Sequence, residues 1–261
     1  YELCWELHFQ RAEMEYLLSN IDEAEQHISY LFQQSNTTFL KSKIIEMQMP
    51  HLVMQNKLLS AIEAGIKALS FSNILLEVKP SEAATQVEIK KAKQMLDGKA
   101  VADIFASFEQ TSKSQQLNQE TLLTAKLLMA LWPPSKIIGS NLTAFSSSKL
   151  IQLILKQKLY CNISVMAIAI FAVTLSTNNE VSLSDEFAQL ALKLQQRLCE
   201  TEQRYRSHVY DYLAVFVTHK KYHVKKTLPM FKESYTSALS CGDLPFTAYA
   251  SNFYCSYGFC A

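Results

Sequence analysis

Residues Arg11 to Ala24, RAEMEYLLSNIDEA, decide the fold. Up to Leu18 apolar and small side chains return every three or four positions, the period of one helix face. Ser19-Asn20 interrupts the pattern, and from Ile21 the same period resumes behind Asp22-Glu23-Ala24. Followed outward, the first run reaches back to Glu2 and the second forward to Ser35. The spacing therefore predicts two antiparallel helices joined by a tight turn, with Ala12 and Ala24 small enough for the paired backbones to approach closely. Asp22 and Glu23 fall in a first helical turn, where the macrodipole favours negative charge, so they read as a helix start rather than an acid–base pair.

A second hairpin follows, its helices predicted over Thr38 to Gln55 and Lys57 to Leu69, with Ala61, Ala64, Gly65 and Ala68 forming a small-residue face. Ala24 and Ala61 are 37 residues apart, close to the roughly 34-residue period of tetratricopeptide hairpins, and extra loop residues at Ser35-Asn36-Thr37 account for the difference. Ala12, Tyr16, Asn20, Ile21, Asp22, Glu23 and Ala24 follow the tetratricopeptide cadence, with Arg11 where leucine is usual and Ser19 where the turn glycine is usual. The expectation is an all-α chain of antiparallel helical hairpins stacked as a tetratricopeptide-like superhelix. It forms one helical-repeat domain over residues 1–261, with two hairpins in 1–79 and further divergent hairpins in 80–261.

In that remainder, Pro80-Ser81-Glu82 opens a capped helix whose charged run, Glu88 to Lys93, is expected on the surface. Asp97-Gly98 ends it, Lys113 to Asn118 reads as a loop or cap, and Trp132-Pro133-Pro134 breaks the apolar stretch from Thr121 to Leu131. Helices are predicted over Asn141 to Lys158, Ile163 to Leu175, Ser184 to Glu200, Glu202 to Val217, Leu228 to Ser240 and from Pro245 onward, with Ser184-Asp185-Glu186 as a cap. ISVMAIAIFAVTL, Ile163 to Leu175, is shorter than the ~20 residues of a membrane span and reads as a buried core helix. No alternating run of strand length appears. Five glycines and six prolines in 261 residues agree with helices rather than turn-rich sheets.

Twenty-five Lys and Arg against twenty-four Asp and Glu leave a net charge of +1, which provides no global field for nucleic acid or an anionic membrane. The six cysteines, Cys4, Cys161, Cys199, Cys241, Cys255 and Cys260, include no CxxC and suit the reduced thiols of a cytoplasmic protein. The amphipathic, acidic start YELCWELH is unlike a signal peptide, and with no initiator Met it suggests a piece of a longer chain.

Three stretches carry a family resemblance: Ala12-x3-Tyr16 with Ile21-Asp-Glu-Ala24 and Leu59-x-Ala61 through Ala68-Leu69; Leu127-Leu-Met-Ala-Leu-Trp-Pro-Pro134; and Ser234-Tyr235-x2-Ala238-Leu239-x2-Gly242-Asp243-x2-Phe246-x2-Tyr249-Ala250. Together they resemble the helical region that follows the P-loop ATPase module in large multi-domain signalling kinases, the predicted ATPases or multi-sensor Ser/Thr and histidine kinases. The resemblance is diffuse between about Pro80 and Glu120, and the stretch Val165 to Ala172 lacks glycines it would lead one to expect. It implies a kinase-like domain and an ATPase upstream and sensor and histidine-kinase domains downstream, and it carries over no catalytic residue.

Weighed singly, the candidate sites give way to structural readings. Gly65, Gly98, Gly139, Gly242 and Gly258 stand alone, and none opens a phosphate-binding GxxxxGK. His219 and His223 have metal-site spacing, but no carboxylate accompanies them and Lys220, Lys221, Lys225 and Lys226 would repel a cation. That basic cluster reads as a solvated helix end before it reads as an anion site. Cys241, Cys255 and Cys260, set among Phe253, Tyr254, Tyr257 and Phe259, read as core packing; Asp243 reads as a helix cap. The expected function is a non-catalytic scaffold without cofactor or metal, serving protein partners or adjacent domains, with self-association through the aromatic C-terminal helix. The alternatives are an all-α ligand-binding regulatory domain and an all-α enzyme whose residues converge from distant helices.

Overall fold

The computed structural model describes residues 2–96, 98–112, 118–198 and 203–261. The sequence expectations at Asp97, at residues 113–117 and at Cys199-Glu200 lie outside those residues. Among the described residues every regular element is helical and there is no strand, as the 3.6-residue periodicity requires. In chain order the helices are α1 (Glu2–Leu17), α2 (Ile21–Gln34), α3 (Thr38–Met54), α4 (Leu58–Ser70), α5 (Glu82–Gln94), α6 (Val101–Ser112), α7 (Gln119–Ala130) and α8 (Trp132–Ile137). They continue with α9 (Leu142–Gln157), α10 (Asn162–Thr177), α11 (Val181–Leu198), α12 (Gln203–Leu213), a π-helical turn (Ala214–Thr218), α13 (His219–Lys221), a 3-10 turn (Val224–Thr227), α14 (Leu228–Ser240) and α15 (Leu244–Phe259). The chain divides into two units, Tyr1–Thr85 with Asn118–Ser146 and Gln86–Leu117 with Ser147–Ala261.

In the first unit α1 pairs with α2 and α3 with α4. Trp5, Phe9, Ala12 and Tyr16 from α1 close on Ala24, Ile28 and Leu31 from α2, with Ile44 and Met47 of α3 completing that cluster. The Trp5 indole donates to Ser35 Oγ at 3.0 Å, and the Tyr16 hydroxyl donates to Glu25 at 2.5 Å, which pins both ends of the hairpin. In α4, Ala61, Ile62, Ala68 and Leu69 are fully buried. A side chain at Gly65 would bring its Cβ within 2.7 Å of Met49 and 2.8 Å of Leu131, so the glycine sets how closely its neighbours pack. Trp132-Pro133-Pro134 does break the chain, but only by a residue: α7 stops at Ala130 and α8 begins at Trp132, with proline in its first turn where a missing N–H costs no bond.

One turn geometry recurs. Ser19 adopts φ +63° and the Asn20 N–H reaches back to Glu15 O at 2.9 Å; 37 residues on, Asn56 adopts φ +59° and Lys57 N–H reaches Leu52 O at 2.8 Å. Both are Schellman-type helix ends with a left-handed residue at the position past the helix. The next helix then opens identically, Ala24 N–H to Asn20 O and Ala61 N–H to Lys57 O, each 3.1 Å. The second unit has this helix end three times, at Lys158 (φ +51°), where Leu159 N–H reaches Ile154 O at 3.1 Å, and at Asn179 and Gly242, after which the next helix also opens in the same way. Asn179 (φ +61°) joins α10 to α11, with Glu180 N–H on Leu175 O at 3.0 Å, and Gly242 (φ +73°) joins α14 to α15, with Asp243 N–H on Ala238 O at 2.9 Å.

The second unit is centred on α10, whose residues from Ile163 to Ser176 are all buried, in agreement with the core-helix expectation. Two expectations are corrected here. Glu88 does not lie on a solvated face: it is buried, ion-paired to Lys91 at 2.7 Å and Lys149 at 2.8 Å, and accepts from Gln152 at 3.0 Å. Ser184 and Asp185 do not cap α11, which begins at Val181; Ser184 Oγ instead donates to Ala172 O at 2.8 Å and ties α11 to α10. The helix α6, with buried Phe105 and Phe108, was not anticipated.

Candidate functional site

The C-terminal part of the second unit gathers most of the side chains that carry chemistry. Helix α12 ends in a π turn, whose i→i+5 bonding admits one extra residue and turns carbonyls away from their helical partners. Two neighbours take them up: Tyr257 from α15 donates its hydroxyl to Val215 O at 3.0 Å, and Ser176 from α10 donates to Phe216 O at 2.7 Å. Around the turn Ala214, Val215 and Phe231 form a core against which Phe253, Tyr254 and Tyr257 pack. Asp211, one turn earlier on α12, is buried, and its Oδ1 has no hydrogen-bond partner. Burial pushes its carboxyl up to about 7. Gln195 on α11 is likewise fully buried with neither amide atom partnered.

The basic cluster is largely committed to internal acceptors. Lys220 Nζ donates to Ser176 O at 2.5 Å, Lys221 Nζ to Asp185 at 2.7 Å, and Lys226 Nζ lies 4.0 Å above the Tyr222 ring. Asp185, which also accepts from the Tyr222 hydroxyl at 3.1 Å, is thus a tether for this segment; burial opposes its ionisation, but the bonds from Lys221, Gln189 and Tyr222 prevail and hold its carboxyl below the ordinary range. His219 and His223 do not share a helix face, because α13 ends at Lys221 and Tyr222 is extended. His219 meets the Tyr257 ring edge-on at 6.0 Å, whereas His223 Nδ1 accepts the Lys225 N–H at 3.2 Å. Among the described residues no group of three or more His, Cys, Asp or Glu is placed to hold a metal ion. Asp243 caps α15 as expected, accepting Phe246 N–H at 3.3 Å, and its second oxygen lies 2.8 Å from His208 Nε2.

Helix α15 departs from expectation at its thiols. Cys241, Cys255 and Cys260 are exposed rather than packed in a core, because Phe246, Ala250, Phe253 and Tyr257 fill the inner face of α15 and the cysteines fall on its far side or beyond its ends. Only Ala250 is fully buried in this helix; Leu244, Tyr249 and Phe259 are exposed, Phe259 to 94%. From Leu244 to Phe259 there is no charged residue at all. The outer side of α15 is therefore an uncharged face that exposes Tyr249, Phe259 and the thiol of Cys255.

Sequence reasoning missed the π turn, Asp211 and Gln195, none of which carries a local signal. It also missed a polar cluster on the first hairpin, where His8 Nδ1 and His27 Nδ1 meet at 2.9 Å and the His8 ring lies 4.0 Å from Tyr30. No helix of the described residues is long and apolar enough to cross a membrane. Compared with known proteins, the chain matches no family model, no curated protein and no solved structure.

Proposed function

We propose that this chain is a non-catalytic helical-repeat interaction module, tetratricopeptide-like in its stacking, which couples an ATPase or kinase region to neighbouring signalling domains in the cytoplasm. The observation that supports this reading is the recurrence of one hairpin turn at Ser19, Asn56, Asn179 and Gly242, the first two at the spacing of the small-residue anchors Ala24 and Ala61. Repeats of this kind bury their apolar faces against neighbours and present an extended surface to partners. The uncharged outer face of α15 is the surface such a module would offer.

The reading is tested with nucleotide first. Calorimetry with millimolar MgATP is expected to show no binding heat, and a micromolar Kd would replace the scaffold with a nucleotide-dependent function. Cross-linking of the full-length gene product is then expected to join Lys232, whose Nζ lies 5.4 Å from the Tyr254 ring of α15, to a flanking domain or partner. A second reading, a regulatory domain for a small polar ligand, is favoured by Asp211 and Gln195, since buried polar atoms without partners mark places where a water or ligand group belongs.

A further inference from the structure

Helix α1 has two apolar faces. The inner one, Trp5, Phe9, Ala12 and Tyr16, is buried against α2. On the opposite side Leu3, Leu7, Met14, Leu17 and Leu18 are exposed to 73%, 57%, 56%, 70% and 66%. At 100° per residue these five fall within one sector about 100° wide, centred roughly opposite the buried face. Leu3, Leu7, Gln10, Met14 and Leu17 follow each other at alternating steps of four and three, the a/d spacing of a coiled-coil seam, with a single polar residue, Gln10, in the middle. A solitary polar residue in such a seam fixes register at a cost in stability.

The flanks say what sits on it. Beside the seam, Glu6 and Glu13 occupy the position before each Leu7 and Met14, and Cys4, Arg11 and Leu18 the position after Leu3, Gln10 and Leu17. In a parallel pair of identical helices the first kind of flank faces the second kind five residues further along the partner, so Glu6 of one copy meets Arg11 of the other, twice by symmetry, and the stem of Glu13 lies over Leu18. In an antiparallel pair acidic flank faces acidic flank. Both charges are accessible for this: Glu6 keeps 44% of its side chain exposed beside Lys43, and Arg11 keeps 63% exposed while it bonds Glu15.

We propose that the outward stripe of α1 is a dimer seam that takes α1 of a second copy of this chain in parallel. The inference is independent of the scaffold reading and uses a different helix from α15. A helix of 16 residues is only ~24 Å long and presents about two heptads, so the contact is small and the dimer reversible rather than permanent.

Sedimentation velocity over a concentration series tests it. The wild-type chain is expected to pass from monomer to dimer. Leu7→Glu with Met14→Glu is expected to remain monomeric with unchanged circular dichroism, because both residues are exposed. Gln10→Leu, which removes the polar break, is expected to tighten the dimer at least tenfold. Glu6→Lys sets the orientation: facing Arg11 of the partner it weakens a parallel dimer several-fold, whereas in an antiparallel one it relieves acid–acid repulsion and strengthens it. A wild-type chain monomeric at all concentrations, a dimer untouched by the Leu7 and Met14 changes, as pairing through α15 would give, or a dimer tightened by Glu6→Lys would each overturn the proposal.

Discussion

Ser19 carries the first hairpin on an unfavourable backbone. A left-handed φ of +63° crowds the Cβ of any residue but glycine, at a cost of about 1 kcal/mol. Asn56, Asn73 and Asn179 tolerate that region better, and Gly242 occupies it without strain, whereas Lys158, at φ +51°, has neither advantage. Ser19→Gly and Lys158→Gly are accordingly expected to stabilise the chain by about 0.5–1 kcal/mol each, measured by urea unfolding, because among the described residues neither side chain makes a hydrogen bond that would be lost. A loss of stability in either would mean that the serine or lysine holds its turn in some other way. The same residues explain what the sequence makes legible. Ser19-Asn20 and Gly242-Asp243 are turn-forming pairs flanked by clean periodicity, so both turns can be read directly. Lys158 has no turn signal, and at Asn179 the Ser184-Asp185-Glu186 sequence imitates a cap three residues inside α11.

Helix limits follow apolar period well, and deep packing much less so. α14 begins and ends where its pattern does, and α3 and α4 fall within a residue of expectation. α6 is missed because its two phenylalanines sit between Gly98 and a polar stretch, and the helix it packs against, α11, lies far along the chain rather than next to it. The burial of Glu88 is missed because its partners, Lys149 and Gln152, lie about sixty residues on, beyond any local pattern. The small-residue face of α4, by contrast, was readable and has a measurable consequence. At Gly65 a β-branched side chain would enter space already held by Met49 and Leu131, both fully buried. Gly65→Val is expected to cost about 2 kcal/mol through overpacking, more than the small helix-propensity gain from replacing glycine can return. Chemical denaturation checks it, and a midpoint at or above wild type would show that the α3–α4 seam yields easily.

At the scale of the whole molecule, two buried carboxylates of opposite character set how stability depends on pH. For Glu88, burial raises the pKa, but the bonds from Lys149, Lys91 and Gln152 outweigh it and hold the carboxyl at about 2, against an ordinary 4.5. Its contribution is present above the ordinary value and is lost as pH falls towards 2. Asp211 runs the other way: burial with no compensating donor raises it from 3.8 to about 7. Between those values the folded chain holds a proton that the unfolded chain has released. The contribution of Asp211 is therefore complete below pH ~4, falls as pH rises from there to ~7, and levels off once both states are ionised. A shift of that size corresponds to at most about 4 kcal/mol, at 1.36 kcal/mol for each pKa unit. Neither group is recognisable in the sequence, since an aspartate inside Tyr210-Asp211-Tyr212 looks like any helix-surface carboxylate until α12 is seen to be enclosed. The chain is expected to be most stable between pH ~4 and ~5, with Glu88 and Asp185 contributing to the acid limb and Asp211 setting the decline above it. Asp211→Asn, similar in shape and uncharged at every pH, is expected to flatten the decline between pH 5 and 8 while leaving the acid limb in place. Thermal unfolding of both chains across that range decides the matter, and an unchanged slope in the variant would mean that Asp211 is ionised in the folded protein and has found a partner there.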